Sequence, residues 1–290
     1  AFSQCTSLME ASVLGSGVKL YTYCFAGCTS LTTVYIPDSA VISGTYDRAP
    51  FEGDSVKLVI TYDTGIIPAN FMYHLYTTNW SSGNYAGDLF GVHEIVISEG
   101  ITTISDSAFR APNGKSPLIE RVSFPSTIIS IGSYAFAGNG VQHISMPQGD
   151  PDISITIASY AFSNCSNLID VSLPEGITVL NSYTFSECAS LEEVVLPSTL
   201  TTIGSYVFSN CASLYDFDLV PGISQVDKYA FCGCSSLKSI EITDDMTTIS
   251  EGCFYGCSSL EHVFVPTTIT LINQDAFSGC TGLQTISIAN

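Results

Sequence analysis

The stretch YAFSNCSNLIDVSLPEGITVL (residues 160–180) decides the fold, because two close variants of it follow directly. YTFSECASLEEVVLPSTLTTI occupies residues 183–203, and YVFSNCASLYDFDLVPGISQV occupies residues 206–226, so each unit begins 23 residues after the previous one. A fixed period in the range of roughly 20 to 50 residues is typical of solenoid arrays, in which each repeat is one small structural unit. The repeat therefore sets the frame in which every other residue is interpreted.

Three series of apolar residues run through six consecutive units. Each unit carries a phenylalanine, a cysteine three residues later and a leucine six residues after the phenylalanine. The phenylalanines are Phe162, Phe185, Phe208, Phe231, Phe254 and Phe277; the cysteines are Cys165, Cys188, Cys211, Cys234, Cys257 and Cys280; the leucines are Leu168, Leu191, Leu214, Leu237, Leu260 and Leu283. The same unit starts at Phe2 and Phe25, and it recurs with small insertions or deletions at Phe109 and Phe136.

The spacing of apolar residues within a unit predicts its local structure. Val171 and Leu173 alternate with polar residues, as on one face of a strand, and the proline that follows ends the strand. The segment SYAFSNC (159–165) reads as a short helical or turn segment with serine as a candidate cap. A single unit cannot bury its own apolar face, whereas stacked units can, with equivalent strands about 4.8 Å apart. We therefore predict an α/β repeat: a right-handed solenoid of about a dozen coils, with a parallel β-sheet on one face and short helical turns on the other.

One unit shows a wider pattern of Ile-Gly, Ala-Phe, Cys, Leu and Pro positions. Its members are Ile203, Gly204, Tyr206, Phe208, Cys211, Leu214, Leu219 and Pro221. This pattern resembles the BspA-type leucine-rich repeat of bacterial and protist surface proteins, and the resemblance covers most of the chain. It implies a secreted or cell-surface protein that binds other proteins, often as an adhesin toward extracellular-matrix, plasma or other cell-surface proteins. It brings no catalytic residues and no cofactor with it.

The charge balance restricts the classes of partner that the chain can bind. The 290 residues include 8 basic and 27 acidic side chains, for a formal net charge of −19. Phosphate backbones and anionic lipid surfaces repel such a chain, which argues against nucleic-acid binding. No apolar run approaches the roughly 20 residues of a membrane span, so we expect no membrane insertion in this segment. Both termini fall inside the repeat pattern, and we expect any export signal and anchor to lie outside this sequence.

The cysteines are expected to be buried thiols. Eight of the eleven occupy the same repeat position, so stacking places their Cβ atoms about 4.8 Å apart with parallel side chains. A disulfide needs about 3.8 Å and convergent Cβ vectors. Cys24, Cys232 and Cys253 lie off this series, and a Cys232–Cys253 link stays open as an alternative.

The sequence lacks the motifs that are typical of catalytic and metal-binding sites. None of the four histidines, His74, His93, His143 and His262, has a metal-ligand or catalytic spacing, and no glycine-rich phosphate loop occurs. The sequence therefore predicts a protein that is not an enzyme, with no catalytic residue, metal site or cofactor. An enzyme would need a concave pocket with convergent polar groups in the irregular part of the chain.

That irregular part is residues 38–96, between regular repeats at 1–37 and 97–290 of what we predict to be a single domain. Its insertion contains Tyr76, Trp80 and Tyr85. Insertions in solenoids map to loops on one face, and Trp and Tyr are common interface anchors. These aromatic residues are therefore a candidate binding site, although they could equally pack down to seal an irregular coil.

Two surface series remain. Acidic residues flank the inward strand positions at Asp170, Glu193, Asp216, Asp218 and Glu241. They form a candidate site for a basic partner, and the alternative is a solvated face that keeps the protein soluble. A tyrosine stands two residues before the repeat phenylalanine at Tyr134, Tyr160, Tyr183, Tyr206 and Tyr229. These rings are either a ligand-binding stack or a covering over the turns. The predicted function is a non-enzymatic protein-binding module, with a structural spacer that presents another domain as the alternative.

Overall fold

The computed structural model of the chain describes residues 2–21, 24–42, 51, 56–72, 92–111, 119–148 and 152–289. The chain divides into two compact units, Ala1–Val141 and Gln142–Asn290. Each unit is a stack of coils with parallel strands, as the repeat predicts. The expectation of one domain over residues 1–290 stays a prediction.

The first unit has one series of longer strands and one of two-residue strands. The longer strands are β1 (Glu10–Ser12), β3 (Thr33–Pro37), β5 (Val56–Thr61), β7 (Val92–Ile97) and β9 (Arg121–Ser123). They pair in the order β1-β3-β5-β7-β9, all parallel. The short strands are β2 (Lys19–Leu20), β4 (Val41–Ile42), β6 (Ile66–Ile67), β8 (Thr103–Ile104) and β10 (Ser130–Ile131). The irregular segment thus contributes β5 and β7, each six residues long.

The second unit repeats this arrangement. Its longer strands are β11 (His143–Ser145), β13 (Asp170–Ser172), β15 (Glu193–Val195), β18 (Ser239–Glu241), β20 (His262–Val265) and β22 (Thr285–Ile288). They form two parallel sheets, β11-β13-β15 and β18-β20-β22. The short strands are β12 (Thr156–Ile157), β14 (Val179–Leu180), β16 (Thr202–Ile203), β17 (Gln225–Val226), β19 (Thr248–Ile249) and β21 (Leu271–Ile272).

The repeat phenylalanines form the centre of the core. In the second unit the rings of Phe162, Phe185, Phe208, Phe231, Phe254 and Phe277 stack in sequence, with centroids 5.4 to 5.8 Å apart. In the first unit Phe2, Phe25 and Phe51 stack at 5.5 and 5.6 Å, and Phe109 and Phe136 stack at 5.0 Å. Offset stacking of this kind adds to the free energy gained from burial. The repeat leucines Leu168, Leu191, Leu214, Leu237 and Leu260 are buried beside them.

The predicted burial of the repeat cysteines is confirmed for Cys28, Cys165, Cys188, Cys211, Cys234 and Cys257, whereas Cys280 is half-buried and Cys5 is exposed. All eleven cysteines lie among the described residues, and none of them forms a disulfide there, including Cys232 and Cys253. The thiol of Cys188 donates to the carbonyl oxygen of Phe162 in the preceding coil at 3.3 Å, and Cys234 donates to Phe208 at 3.2 Å. The repeat cysteine therefore packs in the core, and its thiol also donates a hydrogen bond to a backbone carbonyl oxygen of the preceding coil.

The predicted helical turns are wrong. Across the described residues the chain forms no helix. In the segment around Phe185, the N–H groups of Tyr183, Phe185 and Glu187 donate to carbonyl oxygens of the next coil at 2.7 to 3.0 Å. Only the residues between them bond to the carbonyl three residues back, as Thr184 does at 3.3 Å and Ser186 at 3.2 Å. Alternate amides thus leave the coil, and an α-helix cannot continue without them.

The backbone conformation at two repeat positions explains this pattern. Tyr183 and Glu187, two residues before and after the phenylalanine, both have a φ of 62°. Tyr160, Tyr206 and Tyr229 occupy the same left-handed conformation, with φ between 57° and 62°. This conformation costs a non-glycine residue free energy, and it persists here because neighbouring coils hold it from both sides.

The longer-strand series of the second unit is interrupted at residues 214–220, which have no strand. The sequence there reads LYDFDLV, and Phe217 takes the inward position that valine or isoleucine has elsewhere. Aspartate is depleted in strands, and here two aspartates flank the inward residue. Asp216 and Asp218, which the sequence places on a strand, therefore lie outside any strand and between the two sheets.

Candidate binding surface

The sheet face follows from strand alternation. In β13, β15, β18 and β20 the central or second residue points inward, and Val171, Ile240 and Val263 are buried. The residues on either side of each inward position point away from the core. This produces two outward rows along the second unit.

We call them the first and second outward rows. The first outward row is Asp170, Glu193, Asp216, Ser239, His262 and Thr285; the second outward row is Ser172, Val195, Asp218, Glu241, Phe264 and Ser287. Strand register pairs Asp170 with Glu193 and Ser172 with Val195. It also pairs Ser239 with His262 and His262 with Thr285, and it pairs Glu241 with Phe264 and Phe264 with Ser287. Asp216 and Asp218 enter these rows by their place on either side of buried Phe217.

All five predicted acidic residues lie on this face, but they are not equivalent. His143 Nδ1 lies 2.5 Å from Asp170 Oδ2, so Asp170 already has a partner within its own sheet. Glu193, Asp216, Asp218 and Glu241 are exposed. Among the described residues, no basic nitrogen lies within 4.0 Å of these four carboxylates. Their charge is therefore available to a partner.

The sheet face of the first unit differs in charge pairing. Glu94 of β7 lies between Lys57 of β5 and Arg121 of β9, with N–O distances of 3.0 and 3.3 Å. Burial by itself would raise the pKa of Glu94, but the hydrogen bonds and positive charges of Lys57 and Arg121 outweigh it and hold the pKa below its ordinary value. This carboxylate is neutralised within the protein and offers little to a basic ligand.

Sequence reasoning missed the apolar members of the second unit's face. Phe264 is 55% exposed and Val195 is 50% exposed in the second outward row, and Tyr215 is 49% exposed beside Asp216. The available signal was the alternation itself, because Phe264 stands at an outward position of HVFV (262–265), where a polar residue is the norm. Exposed aromatic side chains are enriched at protein interfaces, so Phe264 and Tyr215 make this face a candidate contact surface.

A depression of about 420 Å³ lies around Phe264. Its rim contains Asp218, Glu241, Phe264, Ser239, His262 and Thr285. Its lining also includes Phe217, Ile240 and Val263, whose side chains point inward and are buried. His262 Nδ1 lies 2.8 Å from Thr285 Oγ1, which positions the histidine along one edge. The interrupted strand at Phe217 and the outward Phe264 therefore bound the same concavity.

The other predicted aromatic residues, Tyr76, Trp80 and Tyr85, lie outside the described residues. Their role as a binding site stays a prediction.

The tyrosine series is a stack over the turns. Tyr160, Tyr183, Tyr206 and Tyr229 have ring centroids 4.5, 4.7 and 5.1 Å apart and interplanar angles of 10° or less. Each ring is half-buried against its neighbours. The faces of the inner rings are thus occupied by other tyrosines, which supports the covering role over a ligand-stacking role.

The described part of the chain contains no group of three or more His, Cys, Asp and Glu side chains placed to hold a metal ion. Burial raises the pKa of the Cys188, Cys211 and Cys253 thiols well above the ordinary range. Because the thiolate is the nucleophile, these cysteines are unsuited to covalent catalysis. Within the described ranges, no helix has the length and apolar character that a membrane span requires.

Comparison with known structures finds the same fold. A leucine-rich repeat protein from Bacteroides ovatus matches with a TM-score of 0.51 and 22% identity, over 100% of this chain and 80% of the other. A leucine-rich cell surface protein from Faecalibacterium prausnitzii matches with a TM-score of 0.44 and 21% identity, over 98% and 88%. A leucine-rich repeat protein from T. pallidum matches with a TM-score of 0.46 and 22% identity, over 87% and 83%. No curated protein matches.

The family comparison agrees with the repeat and its geometry. The BspA type leucine-rich repeat region matches in six copies, over residues 1–52, 83–215 and 178–290. These ranges contain the phenylalanine stack, the thiol series and the sheet face described above. The chain belongs to the BspA-type leucine-rich-repeat family.

Proposed function

We propose that this chain is a non-enzymatic, adhesin-like protein-binding module that acts at a cell surface or in the extracellular space. The observation that carries the proposal is the set of exposed carboxylates of Glu193, Asp216, Asp218 and Glu241, which have no basic partner within the described residues. Such a set is unfavourable for the isolated protein, because like charges on neighbouring coils repel. A basic partner relieves that repulsion on binding.

The charge distribution supports a basic protein as the partner. Residues 142–290 contain two lysines and sixteen carboxylate side chains, a formal charge of −14. This unit repels nucleic acid and anionic lipid, and it attracts basic protein surfaces. Leucine-rich repeats commonly bind proteins, and the proteins that carry them are typically not enzymes. The Faecalibacterium prausnitzii relative is described as a cell surface protein, which supports the proposed location.

The contact surface is the sheet face of the second unit, with Asp170 as its least available carboxylate because His143 occupies it. The aromatic residues Tyr76, Trp80 and Tyr85 are a second candidate contact. Candidate ligands are extracellular-matrix, plasma and other cell-surface proteins.

The test is a binding array of purified proteins of those three kinds, probed with the whole chain at two salt concentrations. We expect a saturable interaction that weakens at the higher salt, because exposed charges are screened. The triple variant Asp216→Lys, Asp218→Lys, Glu241→Lys should lose at least about tenfold in affinity. The triple variant Glu187→Lys, Asp244→Lys, Asp275→Lys carries the same charge change away from the face and should bind normally.

Equal binding by the two triple variants would refute this surface as the contact. If no protein on the array binds saturably, the alternative of a spacer that presents another domain is favoured instead.

A further inference from the structure

We propose that Phe264, with the carboxylates of Asp218 and Glu241, is the anchor point of this surface, and that it takes an apolar side chain flanked by lysine or arginine on a protein partner. The inference rests on the proposed function and makes it specific, because it names one end of the sheet face and the chemistry of the residue that docks there.

The first argument is the position of Phe264 in the fold. The repeat phenylalanines Phe231 and Phe254 are fully buried, whereas Phe264 is 55% exposed. Strand register places it between Glu241 and Ser287 in the second outward row. Among the described residues it makes no ring contact. Its apolar surface is therefore directed at solvent, in a region where the fold does not need it.

The second argument is the depression beside it. The volume of about 420 Å³ falls at the low end of ligand-site sizes, and the exposed ring of Phe264 supplies its apolar surface. An apolar side chain that enters here removes its own surface and that of Phe264 from water together. Aromatic side chains are enriched at the centres of protein interfaces, where the residues that dominate affinity are found.

The third argument is the charge at the rim. Asp218 and Glu241 border the depression, and within the described residues neither has a basic nitrogen within 4.0 Å. A lysine or arginine next to the docking apolar residue would pair with them at the edge of the contact. At the other end of the face, His143 already pairs with Asp170, so that carboxylate is less available to a basic partner. The anchor therefore lies at the Phe264 end.

The chemistry favours a protein segment over a glycan. Unpaired carboxylates repel acidic and sulfated sugars, and a neutral sugar can donate hydrogen bonds to them but brings no opposite charge to neutralise them. A basic and apolar peptide uses the charge and the exposed aromatic at once.

The experiment uses an array of synthetic 12-residue peptides in four matched sets: a central leucine or phenylalanine flanked by lysine and arginine, the same peptides with serine at the centre, the same peptides with glutamate in place of the basic residues, and peptides with both changes. Neutral oligosaccharides form a fifth arm. The purified whole chain is the probe. We expect the basic and apolar set to bind at least about tenfold more tightly than each of the others.

Three variants locate the contact. Phe264→Ser should lose about tenfold or more in affinity for the basic and apolar set, Phe264→Leu should lose less, and Glu241→Gln should weaken binding and reduce its salt dependence. Tyr255→Ser is the matched control, because Tyr255 is 45% exposed and lies on a turn away from the sheet face. Thermal melting checks that each variant folds.

Equal binding by Phe264→Ser and Tyr255→Ser overturns the inference, as does equal binding of the basic serine-centred set or a preference for the neutral oligosaccharides. A protein partner that is lost by the triple charge reversal but kept by Phe264→Ser would leave the proposed function standing and refute this anchor. If neither change affects the partner, both proposals fail.

Discussion

The thiol of Cys211 donates a hydrogen bond to the carbonyl oxygen of Phe185, 3.2 Å away in the preceding coil. The same bond links Cys257 to Phe231 at 3.2 Å and Cys28 to Phe2 at 3.0 Å. One repeat position thus fills volume in the core and satisfies a backbone acceptor between coils. This double role explains why cysteine, a small apolar side chain with a weak donor, occupies the position so regularly.

Replacing Cys211 with alanine should lower the free energy of unfolding by about 1–2 kcal/mol, because it leaves a small cavity and an unpaired carbonyl oxygen. Urea denaturation followed by circular dichroism measures the change. Cys5→Ala removes an exposed thiol and should shift the midpoint very little. Similar losses in the two variants would contradict the assigned role of the buried thiol.

The buried thiols should make the protein sensitive to alkaline pH. Burial raises the pKa of Cys24 to about 11, and it raises the pKa of Cys211 well above the ordinary value of 9.0. Above that ordinary value the unfolded chain releases protons that the folded chain keeps, so the free energy of unfolding falls as pH rises. Below it, these thiols are protonated in both states and add no pH dependence.

The measurement is the free energy of unfolding, in reductant, between about pH 8 and pH 9.5, a range that precedes most tyrosine titration. Each raised thiol contributes up to about 1.4 kcal/mol per pH unit near the upper end. Cys211→Ala should have a shallower slope than the parent protein. Identical slopes would show that Cys211 titrates alike in the folded and unfolded states.

Gly252→Ala should be strongly destabilising. Gly252 has a φ of 57°, and a Cβ atom there would lie 2.1 Å from Cε1 of Tyr229, the last ring of the tyrosine stack. The variant combines backbone strain with a clash that displaces the ring, for a loss of about 2–4 kcal/mol.

Gly256→Ala is the control in the same coil. Its φ is 74°, but a Cβ atom there would approach nothing closer than 3.8 Å, so only the backbone strain of about 1–2 kcal/mol applies. The difference between the melting temperatures of the two variants reports the effect of the clash, because both variants have the backbone strain. A Gly252→Ala variant as stable as Gly256→Ala would mean that the tyrosine stack adapts without loss.

Glu94→Gln should destabilise the protein more at neutral pH than in acid. In the folded state, burial by itself would raise the pKa of Glu94. The hydrogen bonds and positive charges of Lys57 and Arg121 outweigh burial and lower the pKa. The stability it contributes is therefore present above its ordinary pKa of 4.5 and is lost as pH falls through the lower folded value. We expect a loss of about 0.5–1 kcal/mol at pH 7, which becomes smaller at pH 3.

Denaturant titrations at the two pH values provide the measurement. Glu193→Gln changes a carboxylate on the equivalent face that has no basic nitrogen within 4.0 Å among the described residues, and it should not destabilise the protein at either pH. A loss for Glu94→Gln that persists unchanged at pH 3 would exclude the ion pairs as its cause.

The repeat alone was sufficient to predict the parallel strands, the phenylalanine stack and the buried thiols. Each of these follows from stacking like residues on like residues, and the period of the chain specifies that arrangement directly. Phe185 contacts Phe162 and Phe208 because all three hold the same place in their units. Local pattern and tertiary arrangement agree wherever a residue's neighbours are its own equivalents.

The conformation of the turns and the pairing of the charges depend on contacts between coils. These contacts cannot be inferred from the sequence of one unit. The segment around Phe185 has the composition of a helical turn, but its alternate amides bond to the next coil, so tertiary hydrogen bonds override the local preference. Asp170 and Glu241 look alike in sequence, yet His143 from a neighbouring strand pairs with Asp170 alone. Phe264 faces outward from its strand and is exposed, whereas Phe217 faces inward and is buried. The sequence by itself determined which side chains stack, because equivalent residues of successive repeats lie on one another. Only the tertiary structure decided which side chains remain exposed and unpaired, because exposure depends on residues that lie in other coils.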